Sequence, residues 1–127
     1  MKIGRTLLAA SLLGLSIAPA AHAGSKIMAS GPAARYYPNT QAMHCNILNL
    51  HDEAKPVTID ALDYSGNVVT TSGPLNLPPS TGASLLATGD FDQAAVCRFT
   101  VDGSTKKYRA VATYDDGAQY TTVHAAP

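Results

Sequence analysis

The sequence predicts an all-β fold, and three observations support that prediction. Apolar and polar residues alternate over short stretches, as they do along half-buried strands. Gly, Pro, Asp and Asn fall between those stretches, where tight turns need them. After residue 23, apolar residues do not recur at helical spacing over a useful length. About seven short strands are predicted, an arrangement typical of a single immunoglobulin-like β-sandwich.

The first 23 residues are predicted to be a secretory signal peptide. Lys2 and Arg5 precede an apolar run that is too short to span a bilayer, and Ala21-His22-Ala23 has the small-x-small pattern of a cleavage site. The mature chain is therefore expected to begin at Gly24 and to be periplasmic or secreted. No later apolar run is long enough to be a transmembrane helix.

The charge of the mature chain is low and mixed. Removing residues 1–23 takes away two of the nine basic residues and leaves seven against nine acidic residues, a formal balance of about −2. A nucleic-acid-binding domain concentrates basic residues in a footprint, which this sequence lacks, so no nucleic-acid partner is expected. The 104 residues that remain suffice for one domain with a modest core.

Residues 24–41 contain several Ser, Gly and Pro residues without sustained periodicity. This segment is predicted to be a flexible N-terminal arm, with an edge strand around Arg35–Tyr37. The β-sandwich domain is predicted to span residues 42–127.

The strands of the domain are predicted from alternation and from the turns between them. They span residues 42–50, 57–64, 68–72, 83–87, 94–101, 106–114 and 118–124. Gly66 and Asn67 tolerate positive φ and join the second and third strands as a hairpin. Gly73-Pro74 is predicted to end the third strand, and Asp102–Thr105 to join the fifth and sixth as another hairpin. The register of the last strand stays open, because a one-residue slip would turn Tyr120 to the other face.

Two cysteines are predicted to tie the two sheets together. The strand 94–101 carries Cys97 on the same face as Phe99 and Val101, and Cys45 lies on the apolar face of the first strand. Each sulfur therefore points into the core from strands distant in sequence. In an exported chain two such cysteines favour a disulfide over a redox or metal site. We predict a Cys45–Cys97 bond between the sheets.

A set of cysteine, asparagine, turn and strand residues carries a resemblance to other proteins. The set comprises Cys45, Asn49, Pro56–Ile59, Ser65–Val69, Leu77, Cys97–Val101 and Tyr108–Ala110. In this pattern the sequence resembles small exported bacterial proteins of unknown function that are taken to be immunoglobulin-like or fibronectin-like sandwiches. The resemblance covers most of residues 42–112. It implies a fold and carries no functional residue across.

The sequence contains no catalytic motif, so an enzyme is not expected, and a small hydrolase with an unrecognised site is an alternative. Asp63-x-Ser65-x-Asn67 has the alternating oxygens of a calcium loop. Val68 and Pro74 stand where that loop needs its glycine and glutamate, so a hairpin turn is the better interpretation. No metal or cofactor is predicted.

A periplasmic metal-handling protein is the other alternative. Met28, Met43, His44 and His51 supply the thioether and imidazole groups that suit copper. Strand geometry opposes this site, because successive side chains on a strand point to opposite faces and a disulfide occupies Cys45.

The favoured function is a non-enzymatic module of the cell envelope, binding or structural, whose partner is another envelope protein or a glycan. In the predicted hairpin Arg98 stands opposite Arg109, with Lys107 on the same outer face. This like-charge pairing is unfavourable without an acidic partner, and Asp60 on a neighbouring strand is the candidate for that partner. The three basic residues are predicted to form part of a contact surface for an acidic partner. Tyrosines could add amphipathic contact area, namely Tyr36, Tyr37, Tyr108, Tyr114 and Tyr120.

Overall fold

The computed structural model describes residues 24–31, 42–63, 65–88, 96–115 and 120–127, with the backbone alone of residue 120. The predicted signal peptide and the strand predicted at Arg35–Tyr37 lie outside these ranges. Within them the chain is all-β, and no helix is long and apolar enough to cross a membrane.

Eight strands and one short 3₁₀ turn make up the described fold. They are β1 Ser25–Ala29, β2 Ala42–Asn49, β3 Lys55–Leu62, β4 Val68–Leu77, β5 Gly82–Thr88, β6 Val96–Asp102, the 3₁₀ turn Thr105–Lys107, β7 Tyr108–Asp115 and β8 Tyr120–His124. Sheet A has the strand order β1-β6-β3-β4, and sheet B has the order β5-β2-β7-β8. Every neighbouring pair is antiparallel.

The inner faces of the two sheets share one apolar core, and the predicted alternation of β2, β3 and β6 is confirmed. The fully buried side chains include Met43, Cys45, Val57, Ile59, Cys97, Phe99, Val101, Tyr108 and Tyr114. Burying each apolar side chain of this size contributes about 1.5–3 kcal/mol. The predicted disulfide is present: Cys45 on β2 is bonded to Cys97 on β6, and their Cα atoms are 5.6 Å apart.

The prediction of a flexible arm over residues 24–41 is wrong at its beginning, because Ser25–Ala29 forms the edge strand β1. Its five residues pair with β6, and Met28 lies opposite Phe99 with 4% of its surface exposed. Met28 is the single buried side chain of β1. One inward apolar residue gives too short an alternation to predict a strand, although it suffices to anchor one.

The predicted hairpin between β6 and β7 is wrong. β6 pairs with β1 and β3 in sheet A, whereas β7 pairs with β2 and β8 in sheet B. Gly103, with φ of +81°, and the 3₁₀ turn Thr105–Lys107 carry the chain from one sheet to the other. Alternation predicts which residues face the core, but a strand of either sheet satisfies it equally well.

Strand β4 continues through Gly73-Pro74 to Leu77, although Gly73-Pro74 was expected to end it. The register of β3 against β4 shifts between Thr58 and Asp60, and Gly73 has φ of +64°. This local irregularity in the ladder allows β4 to continue past Gly73-Pro74. Proline is tolerated here because β4 is an edge strand and one side of its backbone needs no ladder partner.

The predicted turn after β3 is confirmed as a hairpin held by its own side chains. Gly66 has φ of +85°, and the backbone N–H of Asn67 donates to Asp63 Oδ1 at 2.9 Å. The side-chain amide of Asn67 donates to Asp63 Oδ2 at 3.1 Å. These bonds stabilise the ionised carboxylate and lower the pKa of Asp63. Both oxygens of Asp63 therefore serve the turn.

The open register of the last strand is resolved by its pairing with β7. Thr121 lies opposite Tyr114, and Val123 lies opposite Ala112 and packs against the core. Residue 120 pairs through its backbone with Asp115.

Candidate binding face

The outward side chains of β1, β6, β3 and β4 form one continuous surface, which we call the outer face of sheet A. The alternation that buries Cys97 and Phe99 turns Arg98 and Thr100 outward. In the sheet register Thr100 lies between Ile27 of β1 and Thr58 of β3. The next row across places Arg98 opposite Asp60. Three strands therefore contribute side chains to the middle of this surface.

An ion pair lies at the centre of the outer face of sheet A. Asp60 Oδ2 accepts hydrogen bonds from Arg98 Nε at 3.1 Å and from Arg98 Nη2 at 2.8 Å. The Asp60 side chain is 9% exposed and that of Arg98 is 34% exposed. A carboxylate this buried requires a charged partner, and Arg98 supplies it. The predicted role of Asp60 as the partner of Arg98 is confirmed.

Beside this pair a shallow groove of about 350 Å³ runs along the same face. Its lining includes three hydroxyl groups, one carboxylate and two proline rings, from Ser25, Thr58, Thr100, Asp102, Pro56 and Pro74, together with Val57 and Val101. The hydroxyls can donate or accept hydrogen bonds, and the carboxylate can accept them. The prolines give the groove apolar walls. A groove of this composition can take a polar side chain or a backbone amide of a partner.

The Gly24 backbone lies at one edge of the groove. The backbone N–H of Gly103 donates to the carbonyl of Gly24 at 3.3 Å. A Cβ atom on Gly24 would collide with Asp102 Oδ1, so glycine allows the carboxylate to lie against the backbone. The position of Asp102 at the groove thus depends on this close approach.

Exposed aliphatic side chains flank the polar centre of the outer face of sheet A. Ile27 on β1 is 59% exposed, and Val68 at the start of β4, opposite Leu62, is 50% exposed. Leu62 and Val96 lie opposite each other beside the Arg98–Asp60 row and are half-buried. The face therefore combines apolar area with a positioned guanidinium group.

The three basic residues predicted to share one surface are separated in the structure. Arg98 lies on the outer face of sheet A, whereas Arg109 lies on β7 in sheet B opposite Leu48. Arg109 Nη1 donates to the carbonyls of Lys106 and Tyr108, both at 2.9 Å. Lys107 ends the 3₁₀ turn. The predicted Arg98–Arg109 pairing is wrong, because β6 and β7 belong to different sheets.

The sulfur and imidazole groups of the metal alternative are also not brought together. Met28 and Met43 are buried in the core, and His44 is turned to the opposite face of β2 from Met43. His51 lies beyond the far end of β2. Across the described part of the chain, no group of three or more His, Cys, Asp or Glu side chains could hold a metal ion.

The tyrosines predicted to add contact area are core residues where the structure describes their side chains. Tyr108 and Tyr114 are each 2% exposed, and burial raises the pKa of both phenols. The Tyr108 hydroxyl donates to the Asp102 carbonyl at 2.6 Å, and the Tyr114 hydroxyl donates to the Gly31 carbonyl at 3.1 Å. Outside the described side chains lie Tyr36, Tyr37 and Tyr120.

Sequence reasoning missed a buried polar junction at the end of β2. Asn49 is fully buried, and its amide nitrogen donates to the carbonyls of Glu53 at 3.0 Å and Leu77 at 2.9 Å. Its side-chain oxygen accepts from the backbone N–H of His51 at 2.8 Å. The His51 ring packs on Tyr108 with centroids 4.9 Å apart. Asn49 therefore holds the β2–β3 connection against the end of β4, and a lone Asn at the end of a strand gave no signal of this.

No known protein family, curated protein or solved structure matches this chain. Its function must therefore be inferred from its own residues. The outer face of sheet A combines a fixed ion pair, a groove lined by hydroxyl groups and proline rings, and exposed aliphatic side chains. This combination makes the outer face of sheet A the candidate binding face.

Proposed function

We propose that this chain is an exported, non-enzymatic binding module of the cell envelope that binds a protein partner through the outer face of sheet A. The observation that carries the proposal is the Arg98–Asp60 pair, set among exposed aliphatic side chains. Protein–protein interfaces are enriched in arginine and depleted of lysine, aspartate and glutamate. This face presents Arg98 at its centre, and the neighbouring Asp60 carboxylate is buried and neutralised by it.

Positioning of the guanidinium favours binding. Asp60 engages Nε and Nη2 of Arg98, while about a third of the Arg98 side chain stays exposed. An arginine already held in one rotamer loses little conformational entropy when a partner docks on it. Ile27 and Val68 then supply apolar area on either side, which is the usual arrangement of an interface core.

The internal bonds of the buried polar side chains support a non-enzymatic function. Ser30 Oγ accepts from the backbone N–H of Cys97 at 2.9 Å, Asn49 bridges two loops, and Asp60 pairs with Arg98. An active site instead keeps such groups directed at a cavity. In the described part of the chain, His51 Nε2 alone is a buried side-chain polar atom without a partner.

Two further parts of the proposal concern export and fold. The Cys45–Cys97 disulfide supports an oxidising compartment, as the predicted signal peptide does. The immunoglobulin-like classification is supported by the central strands: the bonded cysteines lie on β2 and β6 in opposite sheets, β2 pairs with β5, and β3 pairs with β6 and β4. These pairings match strands B with E and C with F and C′ of that fold. The pairings of β7 with β2 and of β1 with β6 depart from it.

The binding proposal is tested by site-specific photo-crosslinking in the native cell. A photoreactive amino acid replaces Ile27, which is exposed on the outer face of sheet A, or Thr122, which is exposed on β8 of sheet B. We expect a discrete crosslinked protein adduct from position 27 and none from position 122. Equal adducts from both positions, or none from position 27, would reject the outer face of sheet A as the binding surface.

A further inference from the structure

The edge strand β5 differs from the other three edges of the two sheets. Its seven residues, Gly82–Thr88, pair with β2 in unbroken register, without a bulge. The strand contains no charged residue and no proline. Among the described residues it has a neighbouring strand on one side only. A regular, uncharged edge is a template for pairing with another strand.

The other edges carry the features that prevent such pairing. β4 contains Gly73 with positive φ, Pro74 and a register shift. β1 carries Lys26 in the row opposite inward-facing Val101, and its end is bridged by the backbone of Ala126. β8 has only five residues. Inward charges, prolines, bulges and short strands are the means by which natural proteins protect sheet edges, and β5 has none of them.

We propose that β5 is a homodimerisation edge, and that two copies of this chain join their B sheets by antiparallel pairing of β5 with β5 around a two-fold axis at Leu85. This register pairs all seven residues of the strand with their symmetry mates. Leu85 meets the partner's Leu85, Ala83 meets the partner's Ala87, and Ser84 meets the partner's Leu86. A two-fold interface requires this self-complementarity.

Side-chain chemistry and charge suit a second copy of the same strand. Leu85, Ala83 and Ala87 face inward and belong to or pack against the core, so pairing extends both cores across the axis. Leu86 is 52% exposed on the outer side and would be covered in part by the partner's strand. Because β5 is uncharged, self-pairing places no like charges opposite each other in any register.

Pairing through β5 leaves the outer face of sheet A exposed in both copies, because β5 lies at the edge of sheet B. The inference is thus independent of the proposed binding function. A single strand junction is small by the standard of stable dimers, so the dimer is expected to be reversible and to depend on protein concentration.

Sedimentation velocity of the mature, oxidised protein from about 1 µM to about 1 mM tests the inference. The wild type should shift from monomer to dimer over this range. The double variant S84K/L86K places like charges opposite each other twice in the proposed register. It should raise the dissociation constant of the dimer at least roughly tenfold, which corresponds to about 1.4 kcal/mol.

Two matched variants separate the register from a general effect of charge. S84K/L86E puts charges at the same positions but places opposite signs against each other, so its dissociation constant should stay within about threefold of the wild type. Asn76→Lys adds a charge to the exposed part of the β4 edge and should leave the dimer unchanged. The inference is overturned by a wild type that stays monomeric throughout, by a dimer that survives S84K/L86K, or by S84K/L86E dissociating as readily as S84K/L86K.

Discussion

Replacing Asn49 by alanine tests whether one buried amide holds an end of the sandwich together. The change removes the donor to the carbonyls of Leu77 and Glu53 and the acceptor of the His51 N–H, three bonds of 2.8 to 3.0 Å. It also removes a longer bond of 3.3 Å to the Pro78 carbonyl. Each bond contributes about 1 kcal/mol net, so we expect a loss of about 3 kcal/mol in the free energy of unfolding. That loss is a large part of the roughly 5–15 kcal/mol typical of a domain.

Urea unfolding followed by far-UV circular dichroism is the assay, since the chain contains no Trp. At about 4 °C per kcal/mol for a domain of this size, Asn49→Ala should also melt roughly 12 °C lower. Asn49→Asp keeps an acceptor for His51 but presents a carboxylate to two carbonyls, so it should destabilise at least as much. Asn76→Ala, at an exposed position, should stay within about 0.5 kcal/mol. An Asn49→Ala protein as stable as the Asn76→Ala control would refute the assigned role.

Three other predictions concern stability. Reduction of Cys45–Cys97 releases a constraint across 52 residues, about 4 kcal/mol in the chain-entropy model, so the urea midpoint should fall with reductant; two free thiols in denatured, unreduced protein would contradict this. Gly103→Ala should cost at least about 1 kcal/mol, because φ is +81° and the new Cβ would lie 3.1 Å from His51 Cε1; an unchanged urea midpoint would count against it. Burial raises the pKa of Tyr114 in the folded protein. The contribution of Tyr114 to the free energy of unfolding should therefore be fully present below the unfolded pKa of about 10 and be lost as pH rises above it, so stability should fall less steeply in Tyr114→Phe. Identical slopes in alkaline urea titrations would exclude this contribution.

Much of the core could be predicted from the sequence because a strand has a period of two. The alternation around Cys97 placed Phe99 and Val101 inward and Arg98 outward, and the structure confirms each position. The same logic placed Cys45 inward on β2, so the disulfide followed from two local patterns and a predicted oxidising compartment.

Sheet membership and the polar contacts could not be predicted in the same way. Nothing in the β6 pattern shows that its ladder partners are β1 and β3 rather than β7, and the error moved Arg109 to the wrong sheet. The Arg98–Asp60 pair was anticipated, because the two residues have outward parity on strands that could be neighbours. Asn49 was missed, because its partners are backbone groups of loops whose positions depend on the whole fold.

Binding affinity at the outer face of sheet A is the most direct test of the proposed function. The partner identified by crosslinking from position 27 would be purified and titrated calorimetrically with the mature protein, with Ile27→Glu, and with Thr122→Glu as the matched control on sheet B. We predict that Ile27→Glu raises the dissociation constant at least roughly tenfold, because it puts a charge into the apolar part of the interface. Thr122→Glu should leave the dissociation constant unchanged. Equal affinity of the wild type and Ile27→Glu would contradict binding through this face.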